Sequence, residues 1–295
     1  MAEAKGHKFG QTLGEWCEQA IEPLLREFAQ RHGLYLDKSG HRPARRGKKV
    51  KWVDDYGNAH DLDYVFERGG TDDIIGTPVA FIESAWRRYT KHSRNKAQEI
   101  QGAVLPLRDR HYRSAPFMGC FLVGVHTAGA LEQLQSLGFH LLYFEYSTII
   151  DAFKLVGIDA SFGETTSDAE FSKKQKKWQR LTAKKRAEVW NSLLETNRDA
   201  VSKFMAALES AVKRKLSAVR IIPLHGNARE YLSIADAITF VRDYNEADEL
   251  AKLLRYEIQI RYDNDDRIDA QFQDRNAAIQ FLEHYHSGNW MPVRE

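Results

Sequence analysis

The chain is poor in the residues that staple small or secreted proteins. Two cysteines occur in 295 residues, Cys17 and Cys120. Each sits inside an apolar periodic segment and neither belongs to a CxxC pair. They read as small buried hydrophobes, which excludes a disulfide framework and predicts a reducing, cytoplasmic setting. Long hydrophobic runs are also missing. No apolar stretch approaches the roughly 20 residues of a membrane span, and the opening Met-Ala-Glu-Ala-Lys-Gly has no apolar signal region. No membrane partner is expected. The absence of GxxxxGK[ST] removes a nucleotide-driven motor and a nucleotide cofactor. The absence of Gly-x-Ser-x-Gly removes the usual esterase. His126 and His140 lack ligand partners at metal-like spacing, so zinc is not expected. Net charge is only +2, which by itself says nothing about partners. No low-complexity tract or internal repeat stands out.

What remains is an ordinary globular composition, 43% hydrophobic and 28% charged, with length enough for two domains. Helical spacing of Leu13, Trp16, Cys17, Ala20, Ile21, Leu24, Leu25 and Phe28 predicts a helix over 11–32, with Pro23 expected to kink or split it. Strands over 49–54 and 59–66 flank the turn-forming Asp55-Tyr56-Gly57-Asn58 as a hairpin. A strand over 79–86 and a helix over 93–105 follow. Next come a strand over 117–125, a helix over 128–137, a strand over 139–145 and a helix over 148–156. Strands alternating with helices through short connections predict an α/β fold with a mixed sheet flanked by helices. The polar stretch 159–172 suggests a boundary, giving domains 1–160 and 161–295. The second reads as two helices over 173–216 and a small α+β module. That module has a strand over 219–224, a helix over 234–243, a hairpin of 256–262 with 267–272, and a helix over 276–285.

Two short apolar strands of the first domain end in acid. Asp61 and Asp63 alternate to one face of the first, and Phe81, Glu83, Ala85 and Arg87 share a face of the second. If these strands pair, Asp63 and Glu83 converge on one hard cation. Magnesium suits such a site because it takes few protein carboxylates and keeps waters for substrate. A bound metal polarises a scissile phosphate and activates water, while a nearby cation stabilises developing charge. Cations are at hand in the segment 87–101, which follows at once. His60, beside the acids, could act as a general base. Two further basic runs, 41–51 and 173–186, contain no acid and suit phosphates.

In these residues and in its order of elements, the chain over roughly 10–157 resembles the PD-(D/E)XK nuclease superfamily, which includes restriction endonucleases, Holliday-junction resolvases and repair nucleases. The resemblance implies a restriction-endonuclease-like sheet. Asp63 (with Asp61 as understudy) and Glu83 would ligate Mg2+, for which Mn2+ may substitute. An acid of the first helix, Glu18 before Glu15 or Glu22, would assist the metal. The family lysine belongs two residues beyond Glu83, where this chain has Ala85. Three accounts compete: a migrated cation (Lys96, Lys91 or Arg87), an engineered Lys-to-Ala change, or a decayed domain that binds DNA without cutting it. Gln98 resembles the helix glutamine of several branches. The expected activity is a metal-dependent DNA endonuclease of a type II restriction or phage-defence kind. Asp63, Glu83 and Lys96 would be catalytic. Arg45, Arg46, Lys48, Lys49, Arg87, Arg88, Lys91 and Gln98 would contact double-stranded DNA, and a homodimer would cut both strands. The alternative is a non-catalytic DNA-binding or assembly subunit.

Overall fold

The computed structural model describes residues 5–90, 93–163, 165–247 and 252–286. Helix α1 (Lys5–His32) buries Phe9, Leu13, Cys17, Ile21, Leu25 and Phe28 along one stripe. Pro23 neither ends nor splits it, because the proline lies on the exposed side. One lost backbone hydrogen bond there is outweighed by the buried stripe. Strand β1 (Tyr35–Lys38) follows, which the sequence did not announce. The expected hairpin splits differently. Strands β2 (Val50–Val53) and β3 (Ala59–Leu62) form a separate two-stranded sheet, and the chain breaks at Asp63 before β4 (Tyr64–Arg68).

The main sheet is completed by β5 (Thr77–Arg87), β6 (Phe117–Gly124) and β7 (His140–Glu145), in the order β1-β4-β5-β6-β7. β1, β4 and β5 pair antiparallel, whereas β5, β6 and β7 run parallel. The mixed α/β sheet is therefore present. Helices α2 (Ser93–Arg110) and α3 (Ala128–Ser136) share a core with Val65, Phe81, Ala85, Cys120 and Leu122, closed by Val50 and Trp52 of the hairpin. On the other face α1 and α4 (Tyr146–Lys154) pack over Tyr64, Phe66, Ile82, Phe121 and Phe144.

That second layer extends beyond the expected boundary at 160. The stretch read as two helices is three, α5 (Asp168–Gln179), α6 (Ala183–Thr196) and α7 (Arg198–Lys213). Their Phe171, Trp178, Val189, Trp190, Leu193, Phe204 and Leu208 belong to the same core as α1. Gly119 makes room for α7, since a Cβ there would lie 2.9 Å from the Phe204 ring. The first core thus reaches about residue 213. The polar stretch 159–172 contributes Ala160, Phe162 and Phe171 to the same core and runs into α5, so it is a connection rather than a boundary.

The remaining module has its own core and a sheet ordered β11-β10-β8-β9. Its elements are β8 (Leu216–Pro223), β9 (Arg229–Tyr231), α8 (Ile234–Asp243), β10 (Tyr256–Tyr262), β11 (Arg267–Phe272) and α9 (Arg275–His286). This is one ββα unit used twice, a repeat that sequence reading overlooked. Ala237-Ile238-x-Phe240-Val241-x-x-Tyr244 matches Ala278-Ile279-x-Phe281-Leu282-x-x-Tyr285. The caps match too: Ser233 accepts from the Asp236 amide and Asp274 from the Ala277 amide. The signal is confined to the helix cores, since the strands and their connecting loops differ in sequence and length.

Candidate active site

The site is set by strand register. Tyr64 pairs with Ile82 in the antiparallel β4–β5 ladder, so Asp63 and Glu83 are the next opposed positions. Like charges directly opposite are destabilising in a sheet. Here the backbone ties them together: the Asp63 amide donates to Glu83 Oε1 at 3.2 Å, and the Ser84 amide donates to Asp63 Oδ2 at 2.7 Å. Glu83 is 5% exposed. Burial, then the Asp63 charge, pushes its pKa up to about 8. Burial also raises the pKa of Asp63. Among the described residues no Lys, Arg or His nitrogen lies within 4.0 Å of either carboxylate.

Three further side chains bear on the pair. Lys96, on α2, lowers the carboxyl pKa values of Asp63, Glu83 and Glu18 through its charge. Its ammonium is 3.3 Å from Glu99, which also stands 3.9 Å from Arg87. Glu99, not singled out from sequence, therefore stands between Lys96 and Arg87. Glu18 reaches the pair from α1. Its pKa is raised by burial, then by Asp63 and Glu15. Two contacts seat α1 there. The Tyr64 hydroxyl donates to the Glu18 carbonyl at 2.7 Å. Gly14 permits close approach, since a Cβ would come within 3.2 Å of Trp86 Cβ. A cleft of about 530 Å³ lined by Glu15, Glu18, Glu22, Lys38, Asp63 and Tyr64 opens between these elements.

Ala85 is buried in the apolar cluster that contains Ala97 and Ile100 of α2. The space above this strand position is packed by α2, and Lys96 flanks that packing.

Metal chemistry can be tested against these donors. Two opposed carboxyls, one buried and one half-buried, whose negative forms are disfavoured by burial would gain from a divalent cation. Two carboxylates with retained waters suit Mg2+. Among the described residues no group of three His, Cys, Asp or Glu is gathered tightly enough to hold a metal ion. Glu18 is linked to the pair by charge without closing a third ligand position.

Several expected site residues lie elsewhere. Asp61 is in the separate hairpin, where it pairs with Lys49 at 2.5 Å. The break at Asp63 ends the alternation that put the two acids on one face. His60 binds Asp54 at 3.0 Å and, with turn amides, holds that carboxyl well below its usual pKa. It is not at the acids. Arg45 is spent internally, on Asp37 and on the carbonyls of Lys38, Gly40, Gly47 and Lys49. Arg88 donates to the Phe162 carbonyl at 2.8 Å and stacks on Tyr146. Neither is available to DNA in this arrangement. Arg46, Lys48, Lys49 and Gln98 are exposed, and Arg87 is half-buried. Lys91 lies outside the described residues. The cysteines are free and buried, as expected. No described helix is long and apolar enough to cross a membrane.

No family model matches the chain, and no curated protein matches it. Among solved structures, a crystal structure of a protein of unknown function, AF1548, aligns with 66% of this chain and 99% of its own at 10% identity. The TM-score is 0.29, a likeness too slight to inform fold or function.

Proposed function

We propose that this chain is a metal-dependent DNA endonuclease on a restriction-endonuclease-like core, of a type II restriction or phage-defence kind. One observation carries the reading: Asp63, half-buried, and Glu83, buried, are opposed and held by the Ser84 and Asp63 amides, with Lys96 the nearby cation. A fold seldom keeps two adjacent acids at such cost without use for them. Asp63 and Glu83 would hold Mg2+ or Mn2+, which supplies Lewis-acid polarisation of the phosphate when bound. Lys96 would stabilise charge on the phosphate as water adds to phosphorus and the ester P–O bond breaks. The leaving oxygen takes up a proton. A homodimer would present two such sites to a duplex.

The test is cleavage of supercoiled plasmid with Mg2+ or Mn2+. Nicking or cutting is expected, lowered by at least about 10³-fold in Asp63→Asn and Glu83→Gln, equivalent to roughly 4 kcal/mol. The apolar packing around Ala85 favours a second reading, a DNA-binding subunit that does not cut. Binding without cleavage under every metal tried would select it.

A further inference from the structure

We infer that the outer surface of α5 and the start of α6 is a binding surface for the phosphate backbone of duplex DNA. The inference rests on the nuclease reading only for its choice of ligand. Lys173, Lys176, Lys177 and Arg180 recur at helical spacing and are all exposed. They form a stripe about 10 Å long. The opposite side of α5 is fixed against α1 in parallel register: Phe171 meets Phe9, Gln175 donates to Thr12, and Trp178 meets Trp16. The stripe is therefore carried on a rigid, core-packed helix. Exposed Lys184 and Lys185 follow on the first turn of α6.

The ordinary explanation of such a run is a solvated face that also offsets the helix dipole. Magnitudes decide against it. The carboxyl end of α5 carries about half a negative charge, far less than the stripe. Lys184 and Lys185 stand at the amino end of α6, where cations oppose the dipole and no acid occupies the first turn. Among the described residues, Lys173, Lys176, Lys177, Arg180 and Lys184 have no carboxylate within ion-pair distance, and only Lys185 is paired, with Glu188. Lys177 donates to the Gly157 carbonyl, and the other unpaired cations, exposed beside the amino terminus of α6, match a polyanion. The run at 41–51, its equal in sequence, differs: Arg42 and Arg45 are buried in internal ion pairs and Lys49 is taken by Asp61.

The test is fluorescence anisotropy of a labelled DNA duplex with EDTA present, titrated across about 50 to 200 mM salt. The probe variant is Lys173→Gln/Lys176→Gln/Arg180→Gln/Lys184→Gln. Its log–log salt slope is expected to fall by about 3 to 4 relative to the native chain. A parallel Arg46→Gln/Lys48→Gln variant should change the slope less, and Tm should show that both fold. A native chain that binds duplex but never cuts it removes the nuclease reading and leaves this surface standing. An unchanged slope in the quadruple variant overturns the surface, whether or not the chain cuts. So does absence of duplex binding, or a loss confined to single-stranded RNA or anionic vesicles.

Discussion

Strand β4 carries a buried charge cluster near each end, and the two are built on opposite principles. Toward its carboxyl end, Glu67 takes a fork of two bonds from Arg42 at 2.6 and 2.9 Å and a third from the Gly76 amide. Arg42 also faces Asp37 at 3.0 Å and donates to the Thr71 and Ile74 carbonyls. Burial works against its charge, but Glu67 and Asp37 outweigh that and raise its pKa. Just before β4, Asp63 meets Glu83 with two amide bonds and, among the described residues, no cation in contact. One cluster is satisfied, the other is left wanting a positive charge. Satisfied buried networks fix a structure. Frustrated ones mark places where a fold gives up stability for chemistry.

The sharpest way to break this comparison is to substitute one member of each cluster. Glu83→Gln should abolish plasmid cleavage, by at least about 10³-fold, and leave urea stability little changed at neutral pH and higher above pH 8, since glutamine keeps an oxygen for the Asp63 amide and never carries the buried charge. Arg42→Met should do the reverse. Removing one partner of a buried, bonded ion pair costs about 3–5 kcal/mol, read as a lower urea midpoint. If Glu83→Gln unfolds the chain and Arg42→Met does not, the assignment of roles is inverted.

The pH dependence sharpens the same contrast. Glu83 has its pKa raised in the folded chain to about 8, so the folded state binds its proton more tightly than the unfolded one. Its favourable contribution is present below the unfolded carboxyl value and is lost as pH rises toward 8. Stability should therefore decline across that window, on the order of a few kcal/mol, and the decline should flatten in Glu83→Gln. Mg2+ competes with the proton, so it should raise Tm more at pH 8.5 than at pH 6. A Mg2+ effect equal at both pH values would remove the pair as the metal site.

Much of the fold was legible because apolar periodicity governs it. α8, β10 and β11 fall where alternation and helical spacing put them. What escaped depended on long-range packing. β1 has no strong pattern because one of its four residues is buried. The sequence pattern gives two helices over 173–216 where three form, because few apolar residues, Phe171, Trp178 and Trp190 among them, carry the burial of α5 and α6. In the site, Asp63 and Glu83 were recoverable from strand-end acids, and Lys96 from the helix that follows. The roles of Glu99 and of the Tyr64 hydroxyl were not, since both depend on which elements come to lie side by side. Nor could the sequence separate arginines that look inward, Arg42 and Arg45, from lysines that look out.

The smallest expected effect concerns the acid that sequence reading held in reserve. Asp61 and Asp63 are two residues apart and alternate to one face on paper. Asp61 is 43% exposed beside Lys49 and Lys51, whereas Asp63 is held by the Ser84 amide against Glu83. An exposed ion pair of that kind contributes about 0–1 kcal/mol. Asp61→Asn should therefore shift the urea midpoint barely, and leave cleavage within about threefold, roughly 0.6 kcal/mol of activation free energy. Asp63→Asn should lose cleavage while gaining stability at high pH. Comparable losses in the two variants would mean that the chain does not break at Asp63 in solution, and that β3 and β4 run on as the single strand their alternation suggested.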